Sequence, residues 1–276
     1  MINQPLNQLD VLRGLAFFAL LATLLALESW RPRRGVAGGW RRRAGNLGLI
    51  AISTVIVRVL FPLGAVGFSA MWQSGLFHHF ATPRVIEIGA SLVLFDCAIY
   101  WQHRAFHYWP LLWRAHRVHH SDTAFDASLG VRFHPLEILP SYAYKLFIIA
   151  ILGIAPSAVA IYEMSLLSFS LMTHANVALP TAIDHVFRWI IITPDWHRIH
   201  HSIHSDEMNA NFGNILSIWD RLFGTAREAP REGQTMMALG LPEFRNRIAQ
   251  RFGALLVQPF ISTTTGTAPR QETPHA

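Results

Sequence analysis

Long apolar segments are the feature that most constrains how this chain folds. Apolar residues predominate over 11–27, 47–71 and 85–101, and the second run is long enough to cross a bilayer. Only 14% of the 276 residues are charged, against about 25% in an average soluble domain. Because a backbone inside lipid must satisfy its own hydrogen bonds, these runs predict membrane-spanning helices.

A further apolar region consists of two shorter arms, 138–154 and 157–172, with Pro156 at the bend. Each arm is short for a full crossing and contains one charged residue, Lys145 or Glu163. We therefore expect a hairpin that enters and leaves on one side. The segment 183–192 predicts a short interfacial helix, and the tail from about residue 262, rich in Thr, Pro and Gly, predicts disorder.

Arginines between the apolar runs predict the orientation. Six follow the first run, namely Arg31, Arg33, Arg34, Arg41, Arg42 and Arg43. Basic loops remain cytoplasmic, and two further crossings then return the chain to that side. We expect an all-α integral membrane protein of the bacterial inner membrane, with about four transmembrane or hairpin helices and a cytoplasmic helical cap. The net charge of +6 is spread between apolar runs, which argues against a nucleic-acid partner.

Three histidine clusters predict a metal site in that cap. The sequences are HRAFH at 103–107, HRVHH at 116–120 and HRIHH at 197–201. Spacings of three and four residues place the imidazoles on one face of a helical turn. Eight imidazoles exceed the needs of one tetrahedral zinc ion, so we expect two ions. Cys97 is the only cysteine, which excludes thiolate sites and internal disulfides.

Several functions are compatible with such a site. A single-zinc hydrolase would carry a motif such as HExxH, which is absent. A metal transporter would bury its ligands within the spans, whereas these clusters follow them. An oxygen-activating dimetal site, beside a bilayer that supplies an apolar substrate, accounts for every feature. The alternatives are a non-oxidative membrane metalloprotein, such as a zinc-dependent hydrolase or isomerase, and a silent metal- or lipid-binding protein.

The clusters also resemble the histidine boxes of the fatty acid hydroxylase superfamily, or sterol desaturase family. The resemblance extends to RFHP at 132–135, HAN at 174–176, NFG at 211–213 and WDRLFGT at 219–225. It covers about residues 85–226, which we interpret as the catalytic domain. Residues 1–84 then form N-terminal transmembrane helices with the basic loop, and residues 227–276 form a C-terminal extension.

The resemblance implies a non-haem di-iron enzyme that uses O2 and two electrons to hydroxylate or desaturate a lipid of sterol or fatty acyl type. No haem or flavin module is visible, so a separate protein would donate the electrons. The implied ligands to two iron ions are His103, His107, His116, His119, His120, His174, His197, His200 and His201.

Other polar residues are candidates to hold these ligands through the second ring nitrogen. They are Asp96, Asp122, His134, Asn176, Asp195 and Asp220. For His134 a structural role stays open, as does an ion pair with Arg221 for Asp220. His185 and His204 are possible additional ligands, and His78 and His79 are expected at the membrane interface.

Overall fold

The computed structural model describes residues 8–35, 38–81 and 83–262. This part of the chain is helical, and its only β-type contacts are two isolated bridges, Ile191 with Leu216 and Ser202 with Leu239. The longer helices are α1 (Gln8–Trp30), α2 (Gly39–Leu60), α3 (Gly64–Met71), α4 (Arg84–Tyr108), α5 (Pro110–His120), α6 (Pro135–Leu152) and α7 (Pro156–Thr173). The tail predicted to be disordered falls almost entirely outside the described residues.

Shorter helices follow in the second half of the chain. They are α8 (Thr181–Phe187), α9 (Pro194–His200), α10 (Ser205–Met208), α11 (Ile218–Leu222), α12 (Gly233–Met236) and α13 (Phe252–Val257). Short 3-10 turns occupy Leu76–His79, Ala127–Val131, Pro242–Phe244 and Gln258–Phe260.

Four stretches of the described chain are long and apolar enough to cross a membrane. They are Val11–Trp30, Gly39–His79, Arg84–Tyr108 and Pro135–Leu152. All four are mostly exposed at the protein surface, as expected of helices that face lipid rather than a protein core. The prediction of an all-α integral membrane protein is therefore confirmed.

The continuous hydrophobicity of the second apolar run predicted one helix, but the structure divides this run into two helices. α2 ends at Leu60 and α3 begins at Gly64. Phe61 leaves the helical region because the ring of Pro62 disfavours a helical conformation in the preceding residue. Gly64 takes a left-handed φ of 65°, which completes the bend.

The predicted hairpin is formed by α6 and α7. Gly153, with a φ of 67°, terminates α6, and Pro156 begins α7. Ile149 and Val159 from the two arms are fully buried with Phe95 of α4. The first turn of α6 and the last turn of α7 lie at the same end of the hairpin, beside the histidine clusters.

Buried ion pairs attach α2 to the segment that follows the second histidine cluster. Arg42 pairs with Asp122 at 2.5 Å and also with Asp126. The fully buried Arg132 pairs with the same Asp122 at 3.1 Å and donates to the Val118 carbonyl. Removing one member of such a network leaves an unpaired buried charge, which costs about 3–5 kcal/mol. Arg42, predicted only as a topology signal, thus also fixes the structure near the site.

The expected interfacial segment is shorter than 183–192, because α8 ends at Phe187. Asp184 and Arg188 pair with each other and are buried. Large apolar residues on the other side are exposed, namely Ile183, Val186, Phe187, Trp189 and Ile190. This face has the composition expected at a membrane interface.

Candidate metal centre

Nine buried histidines form two adjacent groups. The larger group contains His103, His107, His116, His120 and His200. The smaller group contains His119, His174, His197 and His201. Within each group one nitrogen per side chain lies within 4.8 Å of all the others. These are the nine histidines proposed as ligands from the sequence.

Helical spacing decides which histidine joins which group. His116 and His120, four residues apart on α5, lie in the larger group, while His119 points into the smaller one. The third cluster is reversed, since His197 and His201 lie in the smaller group and His200 in the larger. The second and third clusters therefore each contribute to both groups, which holds the groups side by side.

The Nε2 atoms face one another at short distances. His103 Nε2 lies 3.2 Å from His116 Nε2 and 3.0 Å from His200 Nε2. In the smaller group, His174 Nε2 is 3.1 Å from Nε2 of His119 and equally far from Nε2 of His201.

Hydrogen bonds at the other ring nitrogen define the tautomer of several rings. Nδ1 of His103 donates to the Phe212 carbonyl, and Nδ1 of His200 donates to the Ala210 carbonyl, each at 2.8 Å. Since a carbonyl only accepts, the proton of each neutral ring is on Nδ1 and the lone pair is on Nε2. The two facing Nε2 atoms of His103 and His200 therefore cannot hydrogen bond to each other.

A metal ion bound by both Nε2 lone pairs would account for this close approach. Nitrogen ligands about 2.0–2.1 Å from one transition-metal ion lie about 3.0 Å apart when the bond angle is near 90°. The observed Nε2–Nε2 distances of 3.0–3.2 Å match that spacing. Both groups thus fit an ion bound through Nε2, and the all-nitrogen donor set suits iron, zinc or copper.

Burial keeps these imidazoles neutral. It lowers the pKa of His119, His120, His197, His200 and His201 well below the usual 6.5. It also lowers the pKa of His174, to about 4. A neutral imidazole is the form that binds metal, so the site is ready for ions at neutral pH.

Two further side chains orient the larger group, and the sequence did not identify either in that role. Glu137 accepts a 2.6 Å hydrogen bond from His116 Nδ1. The Asn209 side-chain oxygen lies 3.3 Å from His107 Nδ1. Glu137 had been considered only as a neighbour of His134, and nothing in the local sequence of Asn209 indicates its contact. Backbone carbonyls also accept hydrogen bonds from the histidines, and no feature of the sequence predicts these contacts.

The predicted carboxylates do not contact the histidines directly but hydrogen bond to neighbouring segments. Asp220 accepts from the backbone N–H groups of Phe212 at 2.7 Å and Gly213 at 3.0 Å, so it fixes the loop whose carbonyl holds His103. Asp96 accepts from Trp219 Nε1 at 2.8 Å and from the Leu216 N–H at 3.1 Å. Neither carboxylate hydrogen bonds to a ring of the two groups, contrary to the direct contact considered from the sequence.

The remaining polar candidates also contact residues outside the two groups. Asp195 pairs with Arg33 at 2.9 Å and with Arg198. Asn176 exchanges two hydrogen bonds with the backbone of Arg34, and Asp122 belongs to the ion-pair network described above. His134 caps α6 by accepting from the Leu136 N–H at 3.0 Å, which is the structural role left open for it.

Four other histidines in the described part of the chain lie outside both groups. His185, His78 and His79 are exposed, and the partly exposed His204 lies 3.2 Å from a carboxylate oxygen of Glu232. The structure therefore does not bring His185 or His204, considered as additional ligands, to the metal groups.

A cavity of about 930 Å³ leads from the histidines into the membrane helices. Histidines of both groups line one end, including His103, His116, His119 and His174. Apolar residues of α2, α3, α6 and α7 also line it, among them Val57, Ala65, Ile138 and Leu166. This volume and lining suit a long apolar ligand.

Comparisons with known proteins agree with this site. The sequence profile of the family described as fatty acid hydroxylase matches residues 88–225. The chain is 32% identical over 260 residues to ornithine lipid hydroxylase OlsE of Rhizobium tropici, covering 90% of this chain and 74% of that protein. No solved structure gives a significant match.

Other relatives match about half of this chain. Alkylglycerol monooxygenase of Homo sapiens is 30% identical over 132 residues, covering 47% of this chain and 28% of that protein. Cholesterol 25-hydroxylase of Rattus norvegicus is 26% identical over 142 residues, covering 50% and 46%. With the profile spanning half of the chain and one relative matching nearly all of it, this protein belongs to the fatty acid hydroxylase family.

Proposed function

We propose that this protein is a membrane-bound lipid hydroxylase or desaturase that holds two iron ions and depends on O2. The observation that carries the proposal is the pair of neutral histidine groups that line a lipid-sized cavity. The named activities of the relatives, which are hydroxylases and a monooxygenase of lipids, support the same reaction class.

The residues divide the work as follows. The larger group would hold one ion and the smaller group the other, through Nε2 in each case. When bound, two irons supply the redox chemistry that activates O2 for attack on an unactivated C–H bond. Glu137 and the carbonyls of Phe212, Ala210 and Ser170 orient the rings, which fixes the ligand positions before substrate arrives.

Residues of the cavity wall exclude water and position the substrate. Phe106 and Ile99 of α4 line the cavity close to His103, where they exclude water and align an apolar chain. The described residues show no second redox site, so we propose that electrons come from a separate protein. We also propose that the histidines face the cytoplasm of a bacterial inner membrane, since the arginine loop lies on their side of the protein.

Metal content tests the two-ion assignment. His119→Ala removes a donor from the smaller group and His200→Ala removes one from the larger group. Each purified variant should contain clearly less iron than the two ions per chain expected of the native protein. His185→Ala, which alters an exposed histidine outside the groups, is the matched control and should retain the native content. Full iron content in both ligand variants would refute the assignment.

Isotope labelling tests the reaction. Membranes containing the protein are supplied with ¹⁸O2 and a chemical or protein reductant, and the lipids are followed by mass spectrometry. Hydroxylation should place ¹⁸O in the product, whereas desaturation should remove two hydrogens and require O2. Product that forms without air and takes oxygen only from water would overturn the proposal in favour of a metal-dependent hydrolase.

A further inference from the structure

The C-terminal extension carries an exposed apolar face on α13 and the 3-10 turn that follows it. The side of this element that packs on the protein buries Leu255, Gln258 and Pro259. The opposite side exposes Val257, Phe260 and Ile261 by between 42% and 66%. Spacings of three and four residues place these three side chains next to one another on a helical surface. They form the outer face of α13.

α13 packs where two membrane helices begin. A Cβ at Gly48 of α2 would come within 2.8 Å of the Phe252 ring, so the two helices are in close contact. Nε2 of His134, the residue that caps the start of α6, lies 3.2 Å from the Leu256 carbonyl oxygen. Both α2 and α6 belong to stretches able to span a membrane, and Gly48 lies at the start of the apolar run, soon after the arginines at 41–43. α13 therefore lies at the level where these helices enter the bilayer.

Exposed arginines directly precede the outer face. They are Arg245, Arg247 and Arg251. The equally exposed Ile248 lies among them. In the described part of the chain no carboxylate forms an ion pair with Arg247 or Arg251. Glu243 is the only acidic residue from 240 to 262, so three arginines against one glutamate give this stretch a net charge of about +2.

Hydrogen bonds attach the outer face to the helix that carries the second histidine cluster. Arg117 of α5 donates to the carbonyls of Gln258 and Ile261, each at 2.5 Å. Arg114 of the same helix donates to the Pro259 carbonyl at 2.7 Å. These contacts hold the element in one orientation, with its apolar side chains outward. A contiguous apolar patch beside cationic groups is typical of a membrane or protein interaction site.

Two kinds of partner fit a surface of this chemistry, an anionic membrane and an acidic protein. The position at the start of α2 and α6 favours the membrane, because these helices bring their own lipid-facing surfaces to the same level. Apolar side chains next to arginines are also the composition of elements that lie in the headgroup region.

We propose that the outer face of α13 and the three arginines before it bind the anionic surface of the lipid bilayer. The side chains of Val257, Phe260 and Ile261 enter the boundary between headgroups and acyl chains. Arg245, Arg247 and Arg251 bind the phosphate groups of anionic lipids. The C-terminal extension is then attached to the membrane surface on one side and to α5 on the other.

Fluorescence quenching measures where the outer face lies. Full-length protein with Cys97→Ser and Phe260→Cys carries an environment-sensitive fluorophore on its single cysteine, in vesicles of equal parts phosphatidylcholine and phosphatidylglycerol. Brominated acyl chains should quench this label strongly, and its emission should be that of an apolar environment. The same label at the exposed Met236 is the matched control, because backbone carbonyls beside it accept from Arg34, in the loop beyond the ends of α1 and α2. The control label should stay in water.

A comparison of two lipids tests the arginines. Brominated phosphatidylglycerol and brominated phosphatidylcholine, at equal mole fraction, give the relative binding constant of the two lipids beside the label at residue 260. The anionic lipid should be preferred about tenfold, because each basic residue at an anionic surface contributes up to about fivefold. Arg247→Gln combined with Arg251→Gln should reduce the preference to about twofold. Arg231→Gln, which changes an exposed arginine paired with Asp206, should leave it unchanged.

A label at residue 260 that stays in water and escapes quenching would overturn the proposal and favour an acidic protein as the partner. Equal binding of the two lipids to the native protein would also overturn it, as would a full preference retained in the folded double variant. Size-exclusion profiles and thermal unfolding establish that each variant is folded. The measurements require neither iron nor O2 nor substrate, so their outcome is independent of the proposed reaction.

Discussion

At the scale of single residues, hydrogen bonds at Nδ1 orient several of the nine imidazoles. Five rings have an acceptor at Nδ1, namely His103, His107, His116, His174 and His200. Only one of these acceptors is a carboxylate, that of Glu137, and it lies 2.6 Å from His116. An anionic acceptor raises the basicity of the opposite nitrogen more than a carbonyl does, so His116 should be a strong donor to metal.

Replacing Glu137 tests this role. Glu137→Ala should weaken iron binding by the larger group about 10–100-fold, as is usual when the partner of a metal-bound histidine is lost. Glu137→Gln retains an acceptor oxygen without the charge and should restore most of the affinity. Iron content at increasing chelator concentration provides the measurement. Equal affinity in the Ala variant and the native protein would show that the contact of Glu137 with His116 does not support metal binding.

At the scale of secondary-structure elements, the parts that follow from periodicity and composition were predictable. The spans and the hairpin follow from apolar runs and Pro156. The division at Pro62 was missed because apolarity continues through it, although proline carries the physical signal for a helix end. The nine candidate ligands came from spacing and resemblance, but their division into two groups depends on how α4, α5, α9 and the end of α7 pack together. That arrangement is tertiary and leaves no local pattern.

Close backbone contacts were also beyond sequence reasoning. Gly130 lies in the Ala127–Val131 turn, and a Cβ there would come within 2.3 Å of the Ser170 carbonyl oxygen. The same carbonyl accepts from His174 Nδ1 at 2.6 Å. The glycine therefore lets the end of α7 approach the turn and places His174 in the smaller group. Spacing along the chain does not report such an approach.

The arrangement of elements also predicts sidedness. The arginine loop and the histidine groups lie on one side of the protein. The α3–α4 connection lies at the opposite ends of the membrane helices. In a Cys97→Ser background, cysteine at the exposed Gln73 should react with an impermeant maleimide in intact cells. Cysteine at the exposed Arg247, close to the buried Gln250 that donates to the Ser121 carbonyl, should react only after permeabilisation. Labelling in the opposite order would place the histidines outside the cytoplasm.

At the scale of the whole molecule, the metal site and the fold depend on each other. Nine buried imidazoles come from α4, α5, α7 and α9, so ions bound to them would join elements that are distant in sequence. Any ligand that binds only the folded chain stabilises it. Without metal, the same imidazoles are buried neutral bases, and the free energy of unfolding therefore depends on pH.

The metal-free protein should lose stability in mild acid. Burial lowers the folded-state pKa of His119, His120, His197, His200 and His201, and that of His174 to about 4, below the 6.5 of an unfolded histidine. Below pH 6.5 the unfolded chain therefore binds protons that the folded chain does not, and each such group costs up to about 1.4 kcal/mol per pH unit. Among the groups outside the membrane-spanning helices, Asp220, whose pKa burial raises to about 6, acts in the opposite direction, but these six histidines outnumber it.

Thermal unfolding of chelator-treated protein in detergent, followed by intrinsic fluorescence between pH 7.5 and 5, measures this dependence. The unfolding temperature should be constant down to about pH 6.5 and fall steadily below it. Saturating metal should raise the unfolding temperature at every pH in this range, because protons and metal compete for the same nitrogens. His185→Ala, which changes an exposed histidine, should reproduce the native curve. A metal-free protein whose unfolding temperature stays level or rises between pH 6.5 and 5 would show that these imidazoles are not held neutral by burial, and the ready-formed metal site would have to be abandoned.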